Sequence, residues 1–210
     1  MKTLIFDFDG TIADSFGVFL NVFEEVTKRK DKITAAEIET LRGMRVREIL
    51  KHLGIKRWQI PRLLVAGRRA MSKHIADVSP IAGLPAVLRD LHAQGYRMMI
   101  LSTNSSENIR QFLKKNRLDD CFEEVVGGAG IFNKATALRK MIKKYSLQKT
   151  DCIYIGDEVR DIEAAAKAKL DYISAAWGYN SLPALERAQP MALAKKPRHL
   201  PQLLKRISAQ

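Results

Sequence analysis

The sequence predicts an α/β protein, a Rossmann-like parallel sheet core with an inserted all-helical cap domain. Short apolar runs alternate with segments of helical periodicity, which is typical of a parallel sheet that helices cover on both faces. One stretch, residues 15–79, interrupts this alternation and carries only helical patterns. Acidic and hydroxyl side chains follow several apolar runs, and ligands of parallel sheets bind beyond the carboxyl ends of the strands.

Five apolar runs are predicted as strands because each is short and is followed by a turn or helix signal. They are Lys2–Phe8, Tyr96–Ser102, Phe122–Val126, Cys152–Ile155 and Tyr172–Ala175. Helices are predicted between and after them, at Gly83–Ala93, Ser105–Asn116, Lys134–Tyr145 and Glu158–Lys169. The core domain would therefore comprise residues 1–14 and 80–210.

Residues 15–79 are predicted to form the cap domain. Apolar residues recur at helical spacing from Phe16 to Val26, and Thr34 and Glu37 fit a capping box. Pro61 marks a further helix start. Alternatively, these helices belong to the sheet domain itself, but a strand-free stretch of this length favours an insertion at a loop.

The composition bounds the class of protein. The chain has 210 residues, of which 46% are hydrophobic and 28% charged, so it can bury a core and is not disordered. No apolar run is long enough to cross a bilayer, and the N-terminus lacks an apolar signal region, so a cytoplasmic protein without a membrane partner is expected. Cys121 and Cys152 are expected to be reduced and structural, and no two histidines stand at metal-ligand spacing.

The net charge of +13 has two interpretations. Basic side chains can bind nucleic-acid phosphates, or they can form a solvated surface that attracts small anionic substrates. Lysines and arginines are spread along the chain without a zinc-finger spacing or an aromatic-rich motif, so nucleic acid is disfavoured as a partner. The oligomeric state is left open.

The first predicted strand ends in two carboxylates, Asp7 and Asp9, which Gly10 and Thr11 follow. Both carboxylates can converge on the end of the strand, where they need a cation or a proton between them. Gly10 permits a tight turn and lets backbone N–H groups face an anion. An Asp-Gly hairpin turn is the alternative, but a helical segment follows and disfavours it.

Two further strands end in polar residues. Ser102, Thr103 and Asn104 end the second one, where they suit a phosphate oxygen or, alternatively, cap the next helix. Asp157 and Asp161 follow the fourth strand, four residues apart at a helix start, so they face the same way. Carboxylates there suit Mg²⁺, although acidic residues also stabilise any helix N-terminus.

Together these motifs resemble the haloacid dehalogenase-like superfamily, and most closely its phosphoglycolate phosphatase-like branch. The first motif is DFDGTIADS, the second LSTNS, the third Lys134 and the fourth GDEVRD. The helical insert matches the cap of these enzymes, and the resemblance extends to Trp177-Gly178-Tyr179. Asn133 stands where many relatives have Gly or Pro, so Lys140 or Lys143 could compete with Lys134.

The resemblance implies a phosphatase that forms an aspartyl-phosphate. Asp7 would be the nucleophile, and Asp9 would protonate the leaving alcohol and then activate the hydrolytic water. Mg²⁺, the implied cofactor, would be held by Asp7, the backbone carbonyl of Asp9 and Asp157. The implied partner is a small phosphorylated metabolite.

The same resemblance implies roles for the other motif residues. Ser102 and Lys134 would bind phosphoryl oxygens, and Asp161 would orient Lys134 or a metal-bound water. Further substrate contacts are expected from the backbone that follows Asp9 and Ser102, namely from Gly10, Thr11, Thr103 and Asn104.

Asp9 also separates the activities of the family. Haloacid dehalogenases have an aromatic residue and phosphonoacetaldehyde hydrolases a small one at its position, so ester hydrolysis or phosphoryl transfer is favoured here. Mutases of the beta-phosphoglucomutase type carry a histidine early in the first cap helix, where this chain has Phe19. A hydrolase is therefore favoured over a mutase, and intact Asp7 and Asp9 disfavour a non-enzymatic relative.

Arg45 is the predicted specificity residue. It lies in the cap with Arg42 and Arg47, and on a helix Arg42 and Arg45 would share a face. Arginine binds carboxylates in bidentate fashion, so Arg45 could bind the carboxylate of a substrate such as phosphoglycolate. The alternative is an ordinary basic surface.

Overall fold

The computed structural model describes residues 2–27, 32–130 and 132–208. Six parallel strands form one sheet in the order β5-β4-β1-β6-β7-β8. The strands are β1 (Thr3–Phe6), β4 (Arg97–Leu101), β5 (Glu124–Val126), β6 (Cys152–Gly156), β7 (Asp171–Ala175) and β8 (Ala192–Ala194). All five predicted strands are confirmed, with ends that differ by at most two residues. The chain first adds strands on one side of β1 and then returns to its other side, so the strand order changes direction at β1.

Helices cover both faces of the sheet, as the alternation of elements predicted. In β1, Leu4 and Phe6 point to one apolar core and Ile5 to the other, because successive strand residues face opposite sides. The first core is covered by α5 (Leu84–Ala93), α6 (Ser106–Lys115) and α10 (Leu200–Ser208). The second is covered by α7 (Lys134–Lys144), α8 (Val159–Ala168) and α9 (Leu182–Arg187).

The helical stretch after β1 is also present. It contains α1 (Phe16–Thr27), α2 (Ala35–Arg42), α3 (Val46–His52) and α4 (Ile60–His74), which we call the helical insertion. The side chain of Val26 lies outside the part that the structure describes. Thr34 Oγ1 accepts the N–H of Glu37 at 3.2 Å, so the helix start predicted there is observed.

A two-stranded ribbon closes the helical insertion at its base. Strands β2 (Ala13–Asp14) and β3 (Ser79–Pro80) pair antiparallel, and the N–H of Ile81 donates to Ile12 O at 2.9 Å. The two chain crossings therefore lie side by side, at the boundaries that the sequence suggested. The division into core and cap domains stays a prediction.

Some elements were missed from the sequence. The ribbon strands have two residues each, and β8 is an Ala-Leu-Ala segment, so neither carries a strand signal. These strands form because adjacent segments have unpaired backbone N–H and C=O groups. That pairing depends on the tertiary fold and not on the local sequence. Within the described residues, no helix combines the length and the apolar composition that crossing a bilayer requires.

Candidate active site

β1 places Asp7 at the carboxyl edge of the sheet, where the ends of β1, β4 and β6 meet. The N–H of Asp7 donates to Ile155 O at 2.8 Å, which extends the pairing with β6 by one residue. The chain then turns, and Phe8 O accepts the N–H of Ile12 at 2.8 Å. Gly10 takes a φ of +74° in this turn, a conformation that favours glycine. The Asp7 carboxylate is therefore buried and fixed by the strand that carries it.

Lys134 joins Asp7 to Asp161. Its Nζ donates to Asp7 Oδ2 at 2.6 Å and to Asp161 Oδ1 at 2.5 Å, and all three side chains are buried. Burial alone would lower the pKa of Lys134, but the charges of Asp161 and Asp7 outweigh it and raise the pKa. Lys140 and Lys143 are exposed, so the lysine that contacts Asp7 is Lys134.

Asp157 lies at the end of β6 and is enclosed on all sides. Its Oδ1 accepts the hydroxyl of Thr11 at 2.6 Å, and its Oδ2 accepts the N–H of Tyr179 at 2.7 Å. A Cβ atom at Gly10 or Gly178 would lie 2.3 or 2.2 Å from Asp157 Oδ2. Both positions therefore need glycine, because the backbone approaches the carboxylate too closely for a side chain.

Three buried carboxylates at this edge could hold a cation. Asp7, Asp157 and Asp161 each offer an oxygen within 4.8 Å of the others. Burial raises the pKa of Asp7 from 3.8 to about 7, although Lys134 opposes it. Burial, together with the neighbouring carboxylates, also raises the pKa of Asp157 well above its usual value. A divalent cation with oxygen ligands would offset this concentrated negative charge, so the residues present fit Mg²⁺.

Both oxygens of Asp161 already have protein partners. Oδ1 accepts from Lys134, and Oδ2 accepts the N–H of Glu158 at 3.0 Å at the start of α8. Asp7 and Asp157 also have a partner at each oxygen, so these partners alone do not decide which carboxylates would be direct ligands. Asp161 holds Lys134, and its expected role beside the metal stays a prediction.

Asp9 stands apart from these three carboxylates and faces the open space beneath the helical insertion. The hydroxyl of Ser15 donates to Asp9 Oδ1 at 2.9 Å, and Asn104 Nδ2 donates to Oδ2 at 3.2 Å. Burial raises the pKa of Asp9, and these two hydrogen bonds oppose the shift. A raised pKa suits a carboxyl group that donates a proton near neutral pH.

The end of β4 supplies Ser102, Thr103 and Asn104. The Ser102 hydroxyl is fully buried and accepts the N–H of Asn104 at 3.1 Å. Ser105 is the N-cap of α6, and its Oγ accepts the N–H of Asn108 at 3.2 Å. Ser105 therefore caps the helix and Asn104 bonds Asp9, whereas the expected contact of this motif with a phosphate oxygen stays a prediction.

Gly10 and Thr11 have partners of their own. The N–H of Gly10 donates to Ala13 O at 2.9 Å, and the N–H of Thr11 donates to Phe8 O at 3.3 Å. Their expected contacts with substrate stay a prediction, whereas the structure shows them shaping the turn and holding Asp157.

The structure does not bring Arg45 to this site. Its side chain is 64% exposed, and its Nη1 lies 3.4 Å from Glu163 Oε1. The expectation that Arg42 and Arg45 share a helix face is wrong, because α2 ends at Arg42 and Arg45 only precedes α3. Gly43, Met44 and Arg45 separate the two helices, and so short a break carries no strong sequence signal.

Several residues of the site were missed from the sequence. Ser15 bonds Asp9, and the Tyr179 hydroxyl lies 3.0 Å from Ser15 Oγ, although 164 residues separate the two. Arg68 Nε donates to Thr103 O at 2.9 Å and so ties α4 to the sheet edge. Arg160 pairs with Glu158 through two hydrogen bonds of 2.7 and 2.8 Å. Ser15, Arg160 and Tyr179 lie within motifs that the sequence analysis quoted, but their contacts, like that of Arg68, depend on the tertiary fold.

A cavity of about 270 Å³ lies between the sheet edge and the helical insertion. Asp9, Thr103, Asn104, Arg160 and Tyr179 line it on the side of the sheet. Side chains of all four insertion helices line the rest. A substrate in this cavity would reach Asp9 directly.

Comparisons with known proteins agree with this geometry. A model of the haloacid dehalogenase-like hydrolase family matches residues 4–175. The phosphoglycolate phosphatase of Synechococcus elongatus is 31% identical over 212 residues, which cover 100% of both chains. The pyrophosphatase PpaX of Listeria innocua is 25% identical over 203 residues and 93% of each chain.

A solved structure shows the same fold. The hydrolase from Pseudomonas syringae superposes with a TM-score of 0.77 at 22% identity and covers 99% of both chains. The family match spans the strands that carry Asp7, Ser102 and Asp157, and the predicted class of hydrolytic enzyme is thereby confirmed. The chain belongs to the haloacid dehalogenase-like hydrolase family.

Proposed function

We propose that this protein is an Mg²⁺-dependent phosphatase that hydrolyses a small phosphomonoester through an aspartyl-phosphate. The observation that carries the proposal is the buried Asp7, fixed by β1 and in contact with Lys134 at 2.6 Å. Asp9 lies two residues away and lines the cavity from which a substrate would approach. A nucleophile and a separate proton donor are the two groups that this chemistry requires.

In the first step, an oxygen of Asp7 attacks phosphorus, and the bond from phosphorus to the alcohol oxygen breaks. Asp9 donates its proton to that oxygen, so a neutral alcohol leaves. In the second step, Asp9 accepts a proton from water while the water oxygen attacks the aspartyl-phosphate. Inorganic phosphate leaves, Asp7 is restored as a carboxylate, and Asp9 is protonated again.

Cationic and hydroxyl groups around Asp7 would stabilise the phosphoryl group. Lys134 is held by Asp161, so its charge stays beside the reacting atoms without a change of rotamer. The Ser102 hydroxyl lies at the end of the neighbouring strand and would donate to a phosphoryl oxygen. Ser15 and Asn104 would hold Asp9 in position through both steps.

Asp7, Asp157 and the backbone carbonyl of Asp9 would hold the Mg²⁺. When bound, the ion would keep Asp7 ionised against its raised pKa and neutralise charge on the phosphate. The residues of this chain support that site through Thr11 and Tyr179, which fix the orientation of Asp157.

The domain division follows from the same scheme. Residues 1–14 and 80–210 would form the catalytic core, and residues 15–79 a cap that covers the site. The ribbon of β2 and β3 would be the hinge, since both crossings lie there. Arg68, bonded to Thr103 O, would hold the cap closed over the sheet edge.

The substrate proposed from the sequence is a phosphoglycolate-like metabolite. The name of the Synechococcus elongatus relative supports it, and so does the net charge of +13, which attracts anions. A mutase of the beta-phosphoglucomutase type is less well supported, because Phe19 lines the cavity and no histidine does among the described residues. Intact Asp7 and Asp9 also argue against a non-enzymatic phosphate- or nucleic-acid-binding relative.

The covalent intermediate provides the test. The protein is mixed with an aryl phosphate and Mg²⁺, quenched in acid within one turnover and digested for mass spectrometry. We expect a phosphoryl group on the peptide that contains Asp7, and none in the Asp7→Asn variant. Hydrolysis of the ester without any phosphorylated peptide would overturn the covalent mechanism.

A further inference from the structure

The four insertion helices line the cavity mainly with apolar side chains. Phe19 and Leu20 from α1, Ile49 and Leu50 from α3, and Leu63 and Leu64 from α4 all line it. Each remains partly accessible, whereas the core residues of β1 are fully buried. Water in such a cavity finds few hydrogen-bond partners, so an apolar occupant is favoured.

The same cavity reaches the proposed catalytic groups. Asp9, Thr103 and Asn104 line one end of it, and the helices line the other. Asp9 is the proposed donor to the leaving oxygen. Because Asp9 lies at one end of the cavity, an alcohol whose oxygen meets Asp9 would extend into the apolar space.

Three arginines are the cations on the described wall of the cavity, and each bonds the region where the insertion meets the sheet. Arg42 Nη2 donates to Gly178 O at 3.1 Å, and Arg68 Nε donates to Thr103 O at 2.9 Å. Arg160 is paired with Glu158. Away from this junction, the described lining of the cavity carries no basic group and is mainly apolar.

Resting on the proposed phosphatase function, and in place of the phosphoglycolate-like substrate that the sequence suggested, we infer that the helical insertion binds the leaving group and selects phosphomonoesters of apolar alcohols. The size of the cavity sets the class of alcohol. An apolar cavity of about 150 Å³ holds benzene. The cavity here, of about 270 Å³, would hold one substituted aromatic ring or an alkyl chain of roughly six to eight carbons.

A series of esters tests the inference on the unaltered protein. Ethyl, butyl and hexyl phosphate share one leaving-group chemistry and differ in apolar area, and phosphoglycolate supplies the carboxylate. We expect kcat/KM to rise about threefold to fourfold per methylene, the scale of full methylene burial, and to be lowest for phosphoglycolate.

The outcomes separate the two proposals. If phosphoglycolate is hydrolysed best, or if kcat/KM is flat across the alkyl series, the apolar selection is wrong and the phosphatase proposal stands. Arg42 Nε and Arg160 Nη1, which are buried without a hydrogen-bond partner among the described residues, would then be the donors for the carboxylate. If none of these esters is hydrolysed, the proposed function itself fails.

A matched pair of variants locates the selection. Leu64→Trp fills the cavity, and Val65→Trp places the same ring on the next residue of α4, which is 49% exposed. We expect Leu64→Trp to lower the ratio of kcat/KM for hexyl phosphate to kcat/KM for ethyl phosphate at least tenfold. This is about the effect of losing the burial of two methylenes. Val65→Trp should leave that ratio unchanged. An equal ratio in both variants and the unaltered protein would contradict the proposal.

Inhibition of the unaltered protein by the product alcohol tests the same proposal without a variant. It therefore gives a result even if Leu64→Trp fails to fold. 1-Hexanol should compete with ethyl phosphate in the unaltered protein, and ethanol at the same concentration should not. Inhibition by neither alcohol, or by both equally, would mean that the cavity does not bind the leaving group.

Discussion

The carboxyl edge of the sheet and the helical insertion meet at Asp9, but they hold their side chains in opposite ways. At the sheet edge, Asp7, Lys134 and Asp157 are buried, and each has at least two hydrogen-bond or ion-pair partners in or beside the site. In the insertion, α3 buries none of its residues fully, and its apolar face lines a cavity. The difference is one of packing: the sheet edge holds its polar groups in fixed pairs, while the insertion leaves an apolar surface beside a cavity.

Rigidity at the sheet edge has a physical origin. The strands pair on both sides of β1, and the glycines around Asp157 allow backbone to enclose the carboxylate. A preorganised polar site does not have to reorient during the reaction. The insertion is joined to the core by the ribbon and by hydrogen bonds such as that of Arg68.

The largest effect should come from Asp7. In Asp7→Asn the amide is a poor nucleophile, so we expect kcat for an aryl phosphate to fall by about 10³-fold or more. The fold should survive, since the amide keeps the shape of the side chain. Steady-state kinetics and circular dichroism would measure both.

Asp90→Asn is the matched control for this variant. Asp90 is an exposed carboxylate on α5, far from the cavity wall, and its loss should not change kcat. Residual activity of more than a few per cent in Asp7→Asn would contradict the nucleophile assignment.

The sequence predicts those residues of the candidate active site whose positions depend on their immediate neighbours in the chain. Asp7, Asp9 and Asp157 follow apolar strands directly, so each could be placed from its neighbours. The neighbours of Ser15 and Tyr179 in the sequence do not predict their contact, because it joins the residue before α1 to the loop after β7. Pairing over 164 residues depends on the complete fold, which no local pattern encodes.

Lys134 should show the next largest effect. Lys134→Met removes the counter-charge of two buried carboxylates, so kcat should fall by about 10²- to 10³-fold and unfolding should become easier by about 3–5 kcal/mol. Kinetics and urea denaturation would measure the two changes. Lys140→Met, on the same helix but exposed, should alter neither. A larger loss in Lys140→Met or Lys143→Met would assign the third motif to a different lysine.

Mg²⁺ should stabilise the protein as well as support activity. Asp7 and Asp157 carry raised pKa values because they are buried beside other carboxylates, and a bound cation relieves that cost. At about a hundredfold excess over its Kd, a ligand adds about 2.7 kcal/mol, which for a chain of this size is roughly 5–10 °C in Tm.

Scanning calorimetry with Mg²⁺ or with EDTA would measure this shift. Asp157→Asn should lose most of it, whereas Asp90→Asn should keep it. If the Tm of the unaltered protein is the same in both buffers, or if activity persists after exhaustive EDTA treatment, the carboxylates do not form the expected metal site.

Replacing Arg42 or Arg45 in the helical insertion should have the smallest effects on activity, and the two variants should differ from each other. Arg42 was not singled out from the sequence, yet it lines the cavity, bonds Gly178 O and lies 5.4 Å above the ring of Phe16. Arg45 was singled out because three arginines occur close together, a pattern that cannot reveal the helix break at Gly43. Periodicity assumes a continuous helix, and that assumption fails here.

Arg45→Ala is therefore expected to change little. Its pair with Glu163 is exposed on both sides, so the free energy of unfolding should change by about 0 to 1 kcal/mol, and KM for any of the esters should stay within about twofold. Arg42→Ala should raise KM severalfold, because it opens the junction between α2 and the loop at Gly178. Initial rates over a range of substrate concentrations would compare the two. A tenfold rise in KM for phosphoglycolate in Arg45→Ala, with none in Arg42→Ala, would mean that Arg45 moves to the cavity when that substrate binds.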